Sequence, residues 1–314
     1  MVEDHSSVKR SAFRSLERTD RLFVWVIYGA AGFFVLLVVL LLLQLIHGSE
    51  LSIKTFGLKF LWTSQWNPVT SQFGALPLIF GTVVSSLIAL LIAGVIGILA
   101  ATYLADFAPS RLARPLSFII ELLAAVPSVV YGLWGLFVLA PLMRVYIGPF
   151  LQHFLGKLPL FSGPIYGVGL LTAGIILSLM ILPTVTAITR DVIVSIPRDQ
   201  REASMSLGAT KWETISRVVL PAARAGIFGA LILALGRALG ETIATTMVIG
   251  NRPEIAASLF APSYTLASVI ANEFTEATTD VYLSALVELG LLLFVVSFII
   301  NGIARLMMRH VFHE

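Results

Sequence analysis

The sequence predicts an all-α, polytopic membrane protein with six transmembrane helices, and three observations carry that reading. Hydrophobic residues make up 57% of the 314 residues and charged residues only 12%, with a mean hydropathy of +0.92. A soluble domain carries roughly 25% charged residues, so most of this chain faces something other than water. Six runs reach the length of about 20 apolar residues that a spanning helix needs. No stretch of ordinary polar composition is left over for a separate soluble domain, which excludes a singly anchored protein.

The first run, 22–46, follows a hydrophilic, basic tail over residues 1–21. It is too long for the core of a secretory signal, and His47-Gly48-Ser49 is no small-residue cleavage site. Trp25 and Tyr28 read either as interfacial anchors or as packing residues. The second span is placed at 77–103 and the third at 115–140. Pro127 inside the third should bend or break it and free a carbonyl; a packing kink and a substrate contact both account for it. Pro183 in the fourth span, 165–190, reads the same way. The fifth and sixth spans are placed at 225–250 and 281–308, with a short tail over 309–314. The segments 47–76, 141–164 and 251–280 contain Trp62, Trp66, Pro68, Pro149, Pro159 and Pro253 and read as ordered caps rich in turn formers.

Basic residues set the orientation. Fifteen of the 21 Lys and Arg residues fall in the tails and in the 104–114 and 190–224 segments, against five (Lys54, Lys59, Arg144, Lys157, Arg252) on the other side. That asymmetry places both termini in the cytoplasm, so the net charge of +3 reports topology and gives no reason to expect nucleic acid.

The 190–224 segment is the most informative. Pro197 is placed to start a helix, with Asp199 and Glu202 complementing its N-terminal dipole. Gly208 is placed to end it in a left-handed conformation. Thr210 caps a second helix with Glu213 at the reciprocal position, and Pro221 closes it. Any amphipathic hairpin at a membrane surface shares these features, but the spacing is more particular. Glu202-Ala203-Ser204, three residues, Gly208, nine residues, then Val218-x-Leu220-Pro221 resembles the EAA loop of ABC-transporter permeases. Ser204 stands for the second alanine and Val218 for isoleucine. The resemblance implies that the 198–221 hairpin couples the spans to a cytoplasmic ATPase through Glu202, Ala203, Gly208, Leu220 and Pro221.

Chemistry of the chain's own is not expected. There are no cysteines, hence no disulfide or thiolate site. The only approach to a phosphate-binding loop, Gly156-Lys157, is followed by Leu158. His5, His47, His153, His310 and His313 all lie in tails or outer segments. His310 and His313 are three apart, but no third metal ligand accompanies them. No catalytic residue, metal or cofactor is assigned; the resemblance to ABC permeases implies that ATP and magnesium are used by the partner ATPase.

Ionisable residues at bilayer depth mark function by default, and four are candidates: Glu121, Arg237, Glu241 and Glu288. Arg237 falls at the centre of the fifth span, and Glu241 is four residues on, on the same helical face. The two read either as a neutralising intrahelical pair or as an anion site in which Glu241 keeps the guanidinium fork poised for phosphate oxygens. Gly236 and Gly240 form a small-x-x-x-small step. Thr242, Thr245 and Thr246 either line a polar path or bond back to the helix.

Three longer stretches resemble the PstC-like phosphate permeases of the MetI-like superfamily. They are Gly236 to Asn251 (GRALGETIATTMVIGN), Glu121 to Gly135 (ELLAAVPSVVYGLWG), and Trp66-Asn67-Pro68 with Phe73 to Pro77 and Gly81-Thr82; the likeness runs from about residue 60 to 308. It implies a permease subunit of an ATP-driven phosphate importer in a bacterial inner membrane, with Arg237, Glu241 and Glu121 along the translocation path. Implied partners are a PstA-like permease, a PstB-like ATPase dimer, a PstS-like extracytoplasmic phosphate-binding protein, and lipid. Alternatives are a permease for another oxyanion and an ATP-independent anion transporter or channel.

Overall fold

The computed structural model describes the backbone of residues 5–312, with side-chain surroundings at residue 21 and from residue 23 to residue 306. The acidic and basic residues of the N-terminal tail before residue 21, the His5 and His310 side chains, and His313 lie outside those described. Among the described residues there is no strand, and the one β-type pairing is an isolated bridge between Asn67 and Gln72.

In chain order the α-helices are α1 (His5–Gly48), α2 (Glu50–Phe56), α3 (Lys59–Trp62), α4 (Leu76–Thr102), α5 (Ser110–Ala125), α6 (Ser128–Trp134), α7 (Ala140–Leu142) and α8 (Gly148–Leu155). There follow α9 (Leu170–Ser195), α10 (Arg198–Ser206), α11 (Lys211–Thr214), α12 (Leu220–Leu239), α13 (Ile243–Val248), α14 (Leu266–Glu273) and α15 (Asp280–Phe312). Wider π-helical turns continue α4 over Tyr103–Phe107 and join α6 to α7, α7 to α8 and α11 to α12.

Among the described residues, six helical stretches are long and apolar enough to cross a membrane: Phe23–Gly48, Leu76–Phe107, Ser128–Leu155, Leu170–Ser195, Lys211–Leu239 and Asp280–Leu306. Three differ from the sequence expectation, the fourth by a shift from 165–190 to Leu170–Ser195. The third does not run over 115–140. Val126 and Pro127 are extended (ψ 128° and 143°) and split that region into amphipathic α5 and a span beginning at Ser128. The proline ring forces the residue before it out of helical geometry, and hydropathy alone does not register the break. The fifth does not run over 225–250: it begins at Lys211 and ends at Leu239, and Gly240 separates it from α13. Pro221 does not close the preceding helix either. The π turn over Ile215–Val219 widens the helix just before it, which relieves the clash and the lost hydrogen bond that proline brings to a regular α-helix.

The centre of the bundle is α9, two thirds of whose most apolar stretch is buried. Ala89 and Ala93 of α4, Ala234 and Ala238 of α12, and Leu177, Ile181 and Val185 of α9 make one seam. Lipid tails are as apolar as leucine, so small residues hold such a seam by allowing close approach rather than by leaving water. The cap at the α2–α3 end is different, being built around large aromatic rings. There Phe60, Trp66, Phe73, Tyr264 and Tyr282 cluster, each worth roughly 1.5–3 kcal/mol of burial. Phe73 stacks on Tyr282 at 5.1 Å between ring centroids. Helix α1 lies apart against α15, with Leu45 beside Gly290. Trp25 and Tyr28 are exposed, which removes packing within this chain as their role.

Candidate functional site

Arg237 sits in the last turn of α12, and its Nη1 donates to Thr184 Oγ1 of α9 at 3.3 Å. Thr184 lies 14 residues past Leu170 and 11 before Ser195, about 21 Å and about 17 Å along the helix at 1.5 Å per residue. The guanidinium therefore faces the middle of α9, although its own helix ends there. The i,i+4 pair with Glu241 is not formed: no ion pair within 4.0 Å joins the two. The reason is Gly240, which closes α12 (ψ 0°) and breaks the helical register that the pairing presupposes. Glu241 Oε1 instead accepts from the Ala244 backbone N–H at 3.3 Å, satisfying one of the free donors at the start of α13.

The arginine consequently holds its donors toward an exposed face of the bundle with a neutral hydroxyl as its hydrogen-bonded neighbour. Tyr131 of α6 lies within its electrostatic reach, and the Tyr131 hydroxyl donates to Leu123 O at 2.9 Å, bridging the Val126–Pro127 break. Close packing sets these pieces. A Cβ on Gly132 would stand 3.1 Å from Ala244 Cα and 2.5 Å from Met247 Sδ, so glycine is what lets α6 lie on α13. Gly236 meets nothing closer than the Asn301 amide at 3.8 Å, so within this chain the small-residue step holds no tight helix contact.

The threonines resolve toward the backbone. Thr242 Oγ1 donates to Gly240 O and Thr246 Oγ1 to Thr242 O, while Thr245 Oγ1 is buried without a partner. Glu121 is exposed on α5 and lies 3.8 Å from Arg190, which also holds Asp191 at 3.0 Å. Pro127 participates as the break itself, and Pro183 is buried within an unbroken α9. Glu288 is 7% exposed, with Oε2 unpartnered. One turn before it Ser284 Oγ accepts from Ser52 N–H and donates to Gly48 O. Asn301, which faces Gly236, is 13 residues further along α15, about 20 Å, so Glu288 belongs to the α1–α2 seam and not to the Arg237 site.

Sequence reading missed Thr184 and Arg190. Arg190 carries a local signal, a cation near the end of a span, but its contact with Glu121 is not local. Thr184 carried none, since its role arises from contact between helices.

At the basic end of the bundle, α10 and α11 form a hairpin. Gly208 turns with φ +87° and no atom within 4 Å of where a Cβ would be, so the backbone angle, not space, demands glycine. Thr210 Oγ1 accepts from Glu213 N–H at 3.3 Å and Glu213 Oε2 from Thr210 N–H at 2.9 Å, a reciprocal cap. Ser204 and Thr214 hydroxyls bond across the hairpin at 3.0 Å. Glu202, Ala203 and Leu207 are exposed, Leu207 at 91%, whereas Leu220 and Pro221 belong to the start of α12.

Residues 93–313 match the family described as binding-protein-dependent transport system inner membrane component. A phosphate transport system permease protein PstC of Mesorhizobium japonicum is 47% identical over 309 residues, covering 97% of this chain and 94% of that protein. The PstC of Pasteurella multocida is 45% identical over 285 residues, covering 90% and 89%. A probable PstC of Methanocaldococcus jannaschii is 40% identical over 256 residues, covering 80% and 81%. Among solved structures, a bacterial ABC transporter that imports the acidic polysaccharide alginate superposes with a TM-score of 0.62 at 15% identity, covering 96% of this chain and 99% of that one. That likeness establishes the fold.

Proposed function

This chain belongs to the binding-protein-dependent transport system inner membrane components, in the PstC-like phosphate permease branch, and on that premise we propose that it is the permease subunit of an ATP-driven importer of inorganic phosphate. Arg237 is its transient anion site. The observation that carries this reading is the pairing of a guanidinium facing the middle of α9 with a threonine hydroxyl and, among the described residues, with no carboxylate within ion-pair distance. A cation already paired to a carboxylate would have to exchange partners to take an anion. Arg237 keeps its fork of donors for phosphate oxygens, which match it in bidentate fashion, and Thr184 adds one hydroxyl. A guanidinium suits sulfate as well; phosphate in particular is supported by the relatives.

The chain offers three surfaces to partners. Helix α5 has no buried residue. Beside it Leu123, Val126, Val130, Trp134, Leu179 and Leu182 line an apolar cleft of about 300 Å³. A homologous, PstA-like permease would cover this face and close the path around Arg237. The exposed hairpin would seat a PstB-like ATPase at the cytoplasmic side, the side that the basic residues favour. The cap beyond α2 and α14 would receive a PstS-like binding protein. Both termini are then cytoplasmic, and ATP and magnesium act in the partner.

Labelled-phosphate uptake decides the reading. A strain lacking the chain and complemented with it should regain uptake that competes with unlabelled phosphate but not sulfate. Uptake unaffected by loss of the chain, or driven by this chain alone in vesicles without ATP, overturns it.

A further inference from the structure

The hairpin's covalent link to α9 is a poor lever. Ile196 and Pro197 are both extended (ψ 127° and 138°), so helical hydrogen bonding stops between α9 and α10, and the joint transmits pull but little rotation. What holds α10 at a fixed angle is a side chain. Arg201 donates through Nη1 to Asp106 Oδ1 and through Nη2 to Ile193 O at 2.7 Å. Both charges are largely covered, at 17% and 10% side-chain exposure. Asp106 belongs to the π turn Tyr103–Phe107 that ends the second span. The other arm is fastened to the next residue: the Lys211 ammonium lies 5.2 Å from the centre of the Phe107 ring, and Trp212 packs on that ring at 6.3 Å. Beneath them Ile98 and Ala105 pack into the same apolar cluster as Ile193, Val219 and Ala223.

We infer that the Tyr103–Phe107 turn is the transmission link of the permease: Asp106 and Arg201 are positioning residues that make the hairpin and the second span move as one body, so that the stroke of the ATPase is delivered to α4. This rests on the hairpin being the ATPase seat. The second span carries Ala89 and Ala93 into the seam with α9 and α12, so motion of α4 reaches the helices that bear Thr184 and Arg237.

The test uses the complete transporter in vesicles, with ATP hydrolysis and phosphate uptake measured on the same preparation. Asp106→Asn and Arg201→Gln should leave hydrolysis within about twofold of wild type while uptake falls on the order of tenfold, raising the ATP used per phosphate. Arg201→Lys, which keeps the charge but not the two-armed contact, should fall between. An unchanged ratio, or hydrolysis and uptake falling in step, overturns the inference. Because removing one partner of a covered ion pair can unfold its surroundings, a second measurement keeps the pair intact. The chain has no native cysteine, so spin labels at Gln200→Cys on α10 and Leu99→Cys on α4 report their separation directly. It should stay constant between nucleotide-free and ATP-bound states, while the separation from Gln200→Cys to a label at Ile303→Cys on α15 changes. Equal changes in both overturn the link. If the hairpin is not the ATPase seat at all, Glu202→Lys leaves co-purification of the ATPase intact, an outcome distinct from a normal seat with an unaltered ratio.

Discussion

The Arg237 guanidinium bonds to the Thr184 hydroxyl across the α12–α9 seam, 3.3 Å away, and not to the carboxylate four residues further along its own chain. Replacing the fork while preserving bulk therefore separates anion binding from structure. Arg237→Gln should lower phosphate uptake at least about tenfold, and Arg237→Lys should retain part of it, because lysine keeps the charge and loses the bidentate geometry. Glu241→Gln should be milder, since an amide oxygen still accepts from Ala244 N–H. The measurement is uptake normalised to assembled complex. Wild-type rates in Arg237→Gln remove the anion-site role.

The hairpin corner gives a second prediction. At φ +87° a side chain is strained by roughly 1–2 kcal/mol, so Gly208→Ala should weaken the hairpin mildly. Gly208→Trp and Glu202→Lys, which alter an exposed surface, should reduce co-purification of the ATPase severalfold. Undiminished co-purification of both contradicts the docking assignment.

How far these features could be read without coordinates follows the range of the interactions. The hairpin corner is legible because Gly208, Thr210 and Glu213 act within a few residues of one another. The third span was misplaced because a 115–140 window counts the apolar residues of α5 without seeing that Pro127 separates two helices. The Arg237–Glu241 pairing was a sound rule applied across Gly240, where the helix it requires has ended. Thr184–Arg237 and Asp106–Arg201 are 53 and 95 residues apart. No local pattern announces such pairs, and only the packing of α4, α9, α10 and α12 creates them.

Gly132 supplies a test of how the broken fifth segment is held. Gly132→Ala places a methyl 3.1 Å from Ala244 Cα and inside the contact distance of Met247 Sδ. The methionine can swing away, but the α13 backbone cannot without shifting. Overpacking of this kind costs about 1–3 kcal/mol, and it displaces the helix that Glu241 caps. Thermal unfolding in detergent should show a lowered midpoint, and uptake should fall together with it; Gly132→Ala with unchanged stability means that α6 and α13 separate more readily than their contact suggests.

The cap at the far end gives a prediction about pH. Trp66 Nε1 and the Tyr282 hydroxyl both donate to Glu273 Oε2, at 2.8 Å and 2.6 Å, and Asn272 donates to the Tyr264 hydroxyl at 2.9 Å. Burial pushes the Tyr264 phenol above its ordinary value of 10.0; the Asn272 bond opposes this, and the Glu273 and Glu276 carboxylates add to it. The folded chain thus holds this phenol neutral at a pH where the unfolded chain ionises it. The stability so contributed is complete below about pH 10 and is lost as pH climbs toward the raised folded value; this group adds no acid dependence. Purified wild-type protein should therefore lose thermal stability more steeply above about pH 10 than Tyr264→Phe, which has no phenol to ionise. Parallel alkaline profiles for the two proteins place the pH sensitivity of the cap elsewhere.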